Sequence, residues 1–402
     1  MLSRVKDDRR VCIITHSAYQ IEPRSRRMAE ALVAAGIGVD VLCLRGPDQS
    51  QQEEIAGVQV HRLPVTRHQG ASAATYLLEY ARFFLRASAQ LLGLNRRQAF
   101  GLVQVHNPPD LLVFATLPLK LRGIPVVIDL RELMPELFMS RFGLKRQGLI
   151  VRVLTLMERW SCGYANAVVV LHERHRRIMA GRGISPGKLT QVMNCPDDAI
   201  FSLAAPRSPQ AEDNRFVVLN HGGMMERYGV DLLVRAVAQV RGEIPGLRLE
   251  LYGTGDHLPE IERLVCELGV ADLVQFYGQR PLEEMPAAIA RADVGVAPMR
   301  QDVFTDCGLP TKLLEYVALG LPAITSRTAT TADYFDDQMV TFFAPGDAED
   351  LARQLLQVYH DRAGALTRAE RAQRFTLEHN WTSERSSYLK LIDRLLEHGC
   401  HP

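Results

Sequence analysis

The sequence contains no apolar run long enough to cross a bilayer. Its longest apolar stretches, such as the one from Gly148 to Met157, are interrupted by a charge, here Arg152, whereas a transmembrane helix requires about 18 or more uncharged residues. The apolar run that follows the first ten residues, Val11 to Ile14, is too short for a signal-peptide core. We therefore expect a cytoplasmic protein that does not span a membrane.

Cysteine is scarce and scattered. The seven cysteines include no C-x-x-C pair, so neither a disulfide framework nor a zinc site is indicated, and we expect reduced, mostly buried thiols. The 29 Gly and 21 Pro are too few for a fibrous or low-complexity chain, and 47% hydrophobic with 23% charged residues is typical of a globular protein. A length of 402 residues predicts two or three domains.

The net charge of +1 hides an asymmetry between the two halves of the chain. Residues 1–200 contain 27 Lys and Arg against 17 Asp and Glu, and residues 201–402 contain 20 against 29, so the halves carry +10 and −9. A basic half can meet anionic lipid headgroups or another polyanion, and the stretch from Tyr76 to Arg86, rich in aromatics and arginine, would suit a membrane interface. Ordinary solvated surface, attraction between the halves and, for that stretch, a helix packed on the sheet are the alternatives.

Short apolar runs rich in Val, Ile and Leu alternate with helical patterns along both halves. Fully buried strands separated by helices predict a parallel sheet covered on both faces, and the pattern restarts after a polar segment at 197–214. We therefore predict an α/β protein with two Rossmann-like, doubly wound domains facing a central cleft. The predicted divisions are a first domain at 1–200, a linker at 201–214, a second domain at 215–380 and a terminal helix at 381–402 that could pack back on the first domain.

The individual elements follow from the same pattern. In the first half it predicts strands at 11–15, 39–44, 58–63, 102–106, 125–129 and 167–171, and helices at 24–35, 72–92, 109–121, 148–163 and 173–181. In the second half it predicts strands at 216–220, 247–252, 273–277, 294–297 and 323–325, and helices at 230–240, 310–319, 347–360 and 380–397. Because ligands of open α/β sheets bind beyond the carboxyl ends of the strands, the functional residues should lie in the loops that follow them.

Two glycine-rich loops follow predicted strands of the second half. The first contains Gly222 and Gly223 and continues through Arg227 to a helix, and the second, YGTGD, contains Gly253 and Gly255. Paired glycines let the backbone approach a ligand closely, and an arginine before a helix can bind phosphate in two-pronged geometry. The second loop lacks the third glycine of the dinucleotide fingerprint. A plain tight turn with a surface arginine is the alternative for the first loop.

The segment LPTKLLEYVALGLP places a cation and a carboxylate on one helix face. Pro310 suits the first helical turn, Lys312 lies near the positive end of the helix, where an anion would also bind, and Glu315 follows three residues later. A pyrophosphate and a ribose diol need such a pair, because phosphate oxygens require positive charge and two vicinal hydroxyls require a bidentate acceptor. A surface salt bridge between the two side chains is the alternative.

These motifs together resemble the nucleotide-sugar-dependent glycosyltransferases of the GT-B fold, specifically glycosyltransferase family 4. In the second half the resemblance rests on HGGMMERYGVDLLVRAV, YGTGD, FYGQRP, RADVGVAPM, LPTKLLEYVALGLPAI and a terminal helix that starts near Trp381. In the first half it rests on PRSRRMAEALVAAG, VQVHNPPDLL, VVIDLRELMPE, ANAVVVLHERHRRIM and VMNCPDDAIF. The order and spacing of the motifs carry the resemblance along nearly the whole chain.

The resemblance implies roles for particular residues of the second half. Glu315 would hold the donor ribose, and Lys312 and Arg227 would neutralise the diphosphate leaving group, whose charge grows in the transition state. Gln279 and Arg280 lie in the loop expected near the base. The other candidate donor-binding residues are Gly222, Gly223, Gly253, Gly255, Asp306, Cys307, Thr311 and Leu313. Family members of this kind retain the anomeric configuration, with no enzyme nucleophile, and we expect neither a metal nor a cofactor besides the nucleotide sugar.

The sequence departs from the family pattern at three positions. Many members carry two glutamates eight residues apart, but the position eight before Glu315 is Cys307, with Asp306 beside it. Tyr228 stands where a lysine is usual, so Arg227 would supply the charge, and Arg131 replaces a histidine often found after the fifth strand. These departures bear on the donor sugar and on catalytic competence.

Adjacent carboxylates at Asp197 and Asp198 could suggest a metal site. They match the family's Asn-x-Pro-Asp segment that leads to the linker. We therefore favour a structural role for both.

The first half is expected to bind the acceptor. Its candidate loops contain Arg24, His106, Asn107, Arg131 and Glu132. A histidine at the carboxyl end of a strand could orient or deprotonate an acceptor hydroxyl, which makes His106 a catalytic candidate. A structural histidine that caps the following helix is the alternative.

The sequence thus predicts a cytoplasmic, metal-independent, retaining glycosyltransferase. It would move a sugar from a nucleoside diphosphate donor, expected to be uridine-based, to a glycan or lipid-linked acceptor in cell-surface polysaccharide or glycoconjugate synthesis. Peripheral association with an anionic membrane surface would suit the basic first half, and no nucleic-acid partner is expected. The alternatives are a catalytically silent nucleotide-sugar-binding partner or sensor, suggested by Cys307 and Tyr228, and a sugar-nucleotide epimerase of the same fold.

Overall fold

The computed structural model describes residues 9–46, 48–65, 73–202 and 215–398, and it divides into two compact units. The first unit comprises the residues up to Asn194 together with those from Glu384 onward, and the second comprises Cys195–Ser383. Each unit contains a β-sheet with its own buried core. The predicted fold class of two doubly wound α/β domains is confirmed.

The sheet of the first unit has the strand order β3-β4-β2-β1-β5-β6-β7-β8 within the described residues. Its strands are β1 (Arg10–Thr15), β2 (Gly38–Leu44), β3 (Gln52–Ile55), β4 (Val58–Leu63), β5 (Leu102–His106), β6 (Val126–Leu130), β7 (Ala167–Val170) and β8 (Leu189–Gln191). The central strands are buried along nearly their whole length and consist mostly of apolar residues.

The prediction of a parallel sheet is wrong at the edge strand β3. β3 pairs with β4 in antiparallel register, whereas the other neighbouring strands of this sheet are parallel. A two-residue turn at Ala56 and Gly57, whose φ angles are 52° and 77°, joins the two strands. The pattern of buried apolar runs does not reveal β3 because its sequence, QEEI, is polar and mostly exposed.

Helices connect the strands of the first unit. They are α1 (Pro23–Ala34), α2 (Ala73–Arg97), α3 (Leu117–Lys120), α4 (Met134–Phe142), α5 (Leu149–Tyr164) and α6 (Glu173–Gly181). The single helix predicted at 109–121 is instead a 3-10 helix, Asp110–Thr116, followed by the short α3. Pro118 contributes to this break because it has no N–H to donate to the preceding turn.

The aromatic stretch predicted as a possible membrane contact lies in α2. Phe83 is fully buried, and the rings of Tyr80 and Phe83 each lie 4.8 Å from the ring of His16. The side chains of residues 76 and 77 lie outside the described residues. The described part of the stretch therefore favours the alternative of a helix packed on the sheet.

The sheet of the second unit has the order β11-β10-β9-β12-β13-β14 within the described residues, and all its pairs are parallel. Its strands are β9 (Phe216–His221), β10 (Leu247–Tyr252), β11 (Val274–Gly278), β12 (Val294–Ala297), β13 (Ala323–Ser326) and β14 (Thr341–Phe343). The helices of this part of the chain are α7 (Val230–Val240), α8 (Leu258–Glu267), α9 (Met285–Arg291), α10 (Thr311–Ala318), α11 (Ala329–Tyr334), α12 (Ala348–His360), α13 (Arg362–Glu378) and α14 (Trp381–His398). The core forms where α7 and α12 pack against the sheet.

The division of the chain differs slightly from the predicted one. The boundary between the compact units falls after Asn194 rather than after residue 200. Of the predicted linker at 201–214, residues 203–214 lie outside the described residues. Helix α14 belongs to the first unit from Glu384 onward, where Tyr388 donates to Gln104 Oε1 at 2.7 Å and Glu384 Oε2 accepts from the backbone N–H of Met193 at 2.7 Å.

The described residues contain no helix that combines the length and apolar character needed to cross a membrane. No disulfide joins the described cysteines, and Cys12, Cys43, Cys162 and Cys195 are buried.

Candidate functional site

The candidate site of the second unit lies at the carboxyl ends of β9 and β12. β9 pairs with β10 on one side and with β12 on the other, so the strand order reverses here, at the kind of switch point where open α/β sheets bind ligands. The loops that follow β9 and β10 are joined by their backbones. Met224 donates its N–H to Thr254 O at 2.9 Å, and His257 donates to Met224 O at 3.0 Å.

Glycine is required at the close approaches within this loop cluster. A Cβ on Gly253 would lie 1.9 Å from Gly222 O, and one on Gly255 would lie 2.3 Å from Met224 O. Gly229, with φ 65°, similarly leaves room for Pro298 O after β12. Any side chain at these positions would separate the loops, so the glycines serve the packing of the loops as well as any approach of a ligand.

Lys312 extends over the first glycine loop. A Cβ on Gly222 would lie 3.5 Å from Lys312 Cε, and Lys312 Nζ donates to Asn220 Oδ1 at 3.4 Å. Asn220 Nδ2 in turn donates to Val296 O at 2.7 Å, which fixes the amide between β9 and β12. Burial lowers the pKa of Lys312 to about 8, although nearby Glu315 favours the charged form. Since the described residues give the ammonium group one long hydrogen bond, it keeps two protons for an anion.

Glu315 lies beside His221, on the turn of α10 that follows Lys312. Glu315 Oε2 is 3.1 Å from His221 Nε2, and both side chains are about nine-tenths buried. Burial and the charge of Lys312 lower the pKa of His221 to about 3, so the imidazole is neutral at pH 7. The ring of Tyr316 packs edge-on against the imidazole, with ring centres 5.2 Å apart. The imidazole and the carboxyl group are thus neighbours at the site, and the neutral histidine adds no charge beside Glu315.

Arg227 is placed by aromatic and sulfur contacts. Its guanidinium carbon lies 5.8 Å from the ring centre of Tyr228 and 5.3 Å from that of Phe304, and Nη2 is 3.2 Å from Met225 Sδ. By contrast, Arg300, in the loop after β12, forms an ion pair with Asp231. Among the described residues no carboxylate forms an ion pair with Arg227, which leaves its charge available for an anion.

The other candidate donor-binding residues have different surroundings. Thr311 is partly buried at the start of α10, Leu313 is fully buried in the core, and Gln279 and Arg280 are exposed in the loop after β11. The N–H of Gly253 donates to Gly278 O at 2.7 Å, so this exposed loop adjoins the second glycine loop. The Leu313 side chain packs in the core and does not reach the loop surface.

Asp306 and Cys307 lie in a short 3-10 helix, Thr305–Cys307, ahead of α10. Asp306 Oδ1 accepts from the backbone N–H of Ala329, and Asp306 O accepts from Thr330 Oγ1 at 2.6 Å. Asp306 therefore anchors the start of α11. Cys307 is partly exposed.

The polar candidates of the first unit form a buried network at the switch point between β1 and β5. Arg24 makes a bidentate ion pair with Asp129, with both N–O distances 2.8 Å. His106 Nδ1 lies 3.0 Å from Asp129 Oδ2, and its Nε2 lies 2.8 Å from Gln104 Nε2. Although burial alone would raise the pKa of Asp129, Arg24 and His106 hold it well below its usual range.

Burial distinguishes His106 from an exposed catalytic histidine. The side chain is fully buried, and both ring nitrogens face protein groups. This geometry favours the structural alternative for His106, although its role is one of linking β5 to β6 and α1 rather than capping a helix.

Asn107, Arg131 and Glu132 are brought together just beyond this network. Asn107 Oδ1 accepts from the backbone N–H groups of Arg131 and Glu132 at 2.7 and 3.2 Å. The Arg131 side chain pairs with Glu22 at 2.6 Å. Arg131 and Glu132 are partly exposed, so of the acceptor-side candidates these two can reach a ligand.

Asp197 and Asp198 both have protein partners. Asp197 Oδ1 accepts from the N–H of Ala199 at 3.0 Å, and Asp198 Oδ2 accepts from the N–H and the hydroxyl of Thr382 at 2.9 Å each. These contacts agree with the structural role that we favour for the pair.

Both units match models of known protein families. Residues 21–195 match the family model described as a glycosyl transferase 4-like domain, and residues 215–361 match the model described as glycosyl transferases group 1. Together the two matches cover most of both units. The chain belongs to the family 4 glycosyltransferases of the GT-B fold.

The names of curated relatives of this family 4 glycosyltransferase indicate different sugars and acceptors. A 2-deoxystreptamine glucosyltransferase of Streptomyces kanamyceticus is 25% identical over 355 residues, which cover 85% of this chain and 89% of the relative. A GDP-mannose-dependent α-(1-6)-phosphatidylinositol monomannoside mannosyltransferase of Mycolicibacterium smegmatis is 36% identical over 117 residues, which cover 29% of this chain and 31% of that protein. Transfer of a sugar is common to these relatives.

Solved structures share the fold of the family 4 glycosyltransferase at low identity. Sucrose-phosphate synthase from Thermosynechococcus elongatus superposes with a TM-score of 0.78 at 20% identity, covering 96% of this chain and 99% of that one. HepE of Anabaena in complex with UDP-glucose superposes with a TM-score of 0.72 at 14% identity, covering 96% and 100%.

Sequence reasoning missed several residues that shape the site of this family 4 glycosyltransferase. Asn220 and His221 end β9, where Asn220 accepts from Lys312 and His221 lies beside Glu315, yet neither is among the predicted site residues. Their position at the end of a buried strand is a signal that could have found them. Phe304 and the Arg300–Asp231 pair had no such signal, because their contacts depend on how the loops after β9 and β12 pack together.

Proposed function

We propose that this glycosyltransferase moves a sugar from a uridine diphosphate donor to a glycan or lipid-linked acceptor, with retention of configuration and without a metal. The observation that carries the proposal is the pair of cations around the first glycine loop. Lys312 is enclosed with a lowered pKa, and Arg227 has no carboxylate partner among the described residues. Two such charges match a diphosphate.

The proposed chemistry follows from where charge develops. As the glycosidic bond to the donor breaks, negative charge accumulates on the diphosphate oxygens, and fixed cations stabilise that charge more than they stabilise the intact donor. Lys312 and Arg227 would therefore lower the barrier directly. Because these cations can neutralise the leaving group, the proposed mechanism needs no metal.

Glu315 would bind the ribose of the donor. An ionised carboxylate accepts two hydrogen bonds at once, which suits two vicinal hydroxyls. Neutral His221 lies 3.1 Å from the carboxyl group and adds no charge beside it. The uridine base would lie toward Gln279 and Arg280, in the exposed loop beside the second glycine loop.

Retention of configuration would proceed without a protein nucleophile. The acceptor hydroxyl would attack from the side on which the diphosphate departs, with the diphosphate taking the proton. Cys307, which stands where many family members have a glutamate, would face the transferred sugar and bear on its identity.

Calorimetric titration with uridine, guanosine and adenosine diphosphate sugars tests the donor assignment. We expect one uridine-based donor to bind, and Glu315→Ala or Lys312→Ala to abolish that binding. Glu262→Ala and Arg235→Ala, which change exposed residues of α8 and α7 in the same unit, are matched controls and should bind as the parent does. Selective binding of a guanosine or adenosine donor would overturn the uridine assignment.

Turnover assays separate transfer from the alternatives. Sustained transfer that survives a chelator and gives the retained anomer by NMR would support the proposal, whereas full activity of both site variants would refute the site. Donor binding without turnover on any acceptor would favour a silent binding partner. Conversion of the donor without an acceptor would indicate an epimerase.

A further inference from the structure

The outward face of helix α5 carries a stripe of large apolar side chains. Leu149, Val153, Leu156 and Trp160 follow one another at intervals of four, three and four residues, which places them on one helix face. Their exposed fractions are 77%, 47%, 41% and 59%. Scattered exposed leucines need no explanation, but a continuous stripe that includes a tryptophan marks an interaction surface.

This stripe is not the face that α5 uses to pack on its own unit. Val151, Glu158 and Cys162 are buried, and on a helical wheel they lie opposite Leu149, Val153 and Trp160. The inward face of α5 therefore packs on the first unit, and the outward face does not. Ile150, next to Leu149 in α5, is also exposed, at 56%.

The exposed charges of the chain segment that contains the stripe have one sign. Arg141, Lys145, Arg146, Arg152 and Arg159 are all exposed. The one acidic residue between positions 137 and 164 is Glu158, which is buried and paired with Arg182. The segment 137–164, all of it described, thus presents five cations and no exposed carboxylate.

We propose that this α5 surface, formed by the stripe Leu149, Val153, Leu156 and Trp160 with Ile150 beside it and the exposed cations of the same segment, docks on an anionic lipid membrane. An amphipathic helix that lies in a bilayer interface inserts Trp and Leu among the acyl chains while Lys and Arg contact the anionic headgroups. The α5 surface presents both chemistries side by side.

Charge complementarity favours a lipid surface over a second copy of this chain. In a twofold dimer the same patch faces itself, so five cations would oppose five cations across the interface. An anionic headgroup layer instead attracts each exposed Lys and Arg. The net charge of +10 on residues 1–200 adds a longer-range attraction of the same sign.

Sedimentation of the full-length protein with vesicles tests the proposal. The vesicles contain phosphatidylcholine alone or an equimolar mixture with phosphatidylglycerol, and no nucleotide sugar is present, so the result does not depend on the proposed transfer reaction. We expect binding to the anionic vesicles that weakens as salt is added, and little binding to phosphatidylcholine alone.

Two double variants probe the two components of the surface. Leu149→Ser with Trp160→Ser removes apolar contacts, and Arg152→Glu with Arg159→Glu reverses two charges. Each should weaken binding to anionic vesicles roughly tenfold or more. The matched control combines Leu377→Ser, at a site 76% exposed in α13, with Arg235→Glu in α7, and it should bind as the parent does.

Tryptophan fluorescence gives a second readout. It does not use the double variants, so any loss of their stability does not affect it. The chain has two tryptophans, so Trp381→Phe leaves Trp160 as the sole reporter. Its emission should shift to the blue when anionic vesicles are added to this folded variant. The proposal would be overturned if the emission did not change, or if the double variants bound vesicles as tightly as the parent. It would also be overturned if the parent formed a dimer that the double variants dissociate.

Discussion

Lys312 gives the candidate site a testable dependence on pH. An ordinary lysine titrates near pH 10.5, whereas the enclosed ammonium group of Lys312 has a pKa of about 8. A bound diphosphate would favour the charged form. The affinity for the proposed uridine diphosphate donor should therefore be constant below about pH 7 and fall by up to about tenfold per pH unit above about pH 8, as free protein loses this proton.

Calorimetry across this pH range provides the measurement. Lys312→Met is the control, because it removes the titrating group and should bind weakly at every pH. His221 adds no titration of its own near neutral pH, because its pKa is lowered to about 3. Affinity of the parent protein that does not change between about pH 7 and about pH 9.5 would contradict a role for Lys312 in binding the diphosphate.

The spacing of Lys312 and Glu315 was sufficient to place both side chains on one helix face. It could not reveal their partners, because Asn220 lies 92 residues before Lys312 and the two meet through the pairing of β9 with β12 and the packing of α10. The same limit applies to His106. Its position at the end of β5 is visible in the sequence, whereas its enclosure by Asp129 and Gln104 depends on strand order.

Helix α14 is attached to the first unit through a fully buried hydrogen bond. Tyr388 donates to Gln104 Oε1 at 2.7 Å, and neither side chain is exposed. Tyr388→Phe should lower the stability of this unit by about 1–2 kcal/mol, because it leaves a buried amide oxygen without its donor. In a unit of this size that corresponds to a decrease in melting temperature of about 2–8 °C.

Thermal unfolding followed by calorimetry measures this decrease. Tyr359→Phe is the matched control, since the Tyr359 ring packs on Phe216 in the second unit while its hydroxyl makes no hydrogen bond to the described residues. That variant should melt within about 1 °C of the parent. A Tyr388→Phe protein as stable as the control would show that the hydrogen bond does not secure α14.

At the scale of elements, burial decides what the sequence can predict. Strands such as β1 and β6 are mostly apolar and almost fully buried, and they lie within a residue of their predicted bounds. The polar edge strand β3 cannot be predicted from an apolar pattern, because its place in the sheet depends on backbone pairing with β4. Helix α13, which buries mainly alanines along an otherwise polar surface, likewise carries too weak an apolar pattern to predict.

At the scale of the whole molecule, the chain joins two units with separate cores and different charge. Each unit has its own sheet and its own switch point, so interactions within one sheet are not shared with the other. The cations predicted to bind the donor lie in the second unit, and the lipid-docking surface and the buried Arg24–Asp129 pair lie in the first. A ligand that binds one unit should therefore shift the unfolding transition of that unit and not that of the other.

Calorimetry of the full chain can separate these contributions. UDP at about 100 times its dissociation constant should stabilise the second unit by about 2.7 kcal/mol, because it binds the folded form alone. A two-domain chain need not unfold in one step, so we expect UDP to raise one component of the transition and Tyr388→Phe to lower a different one. If UDP raised the same component that Tyr388→Phe lowers, the expectation that the two units unfold as separate components would be wrong.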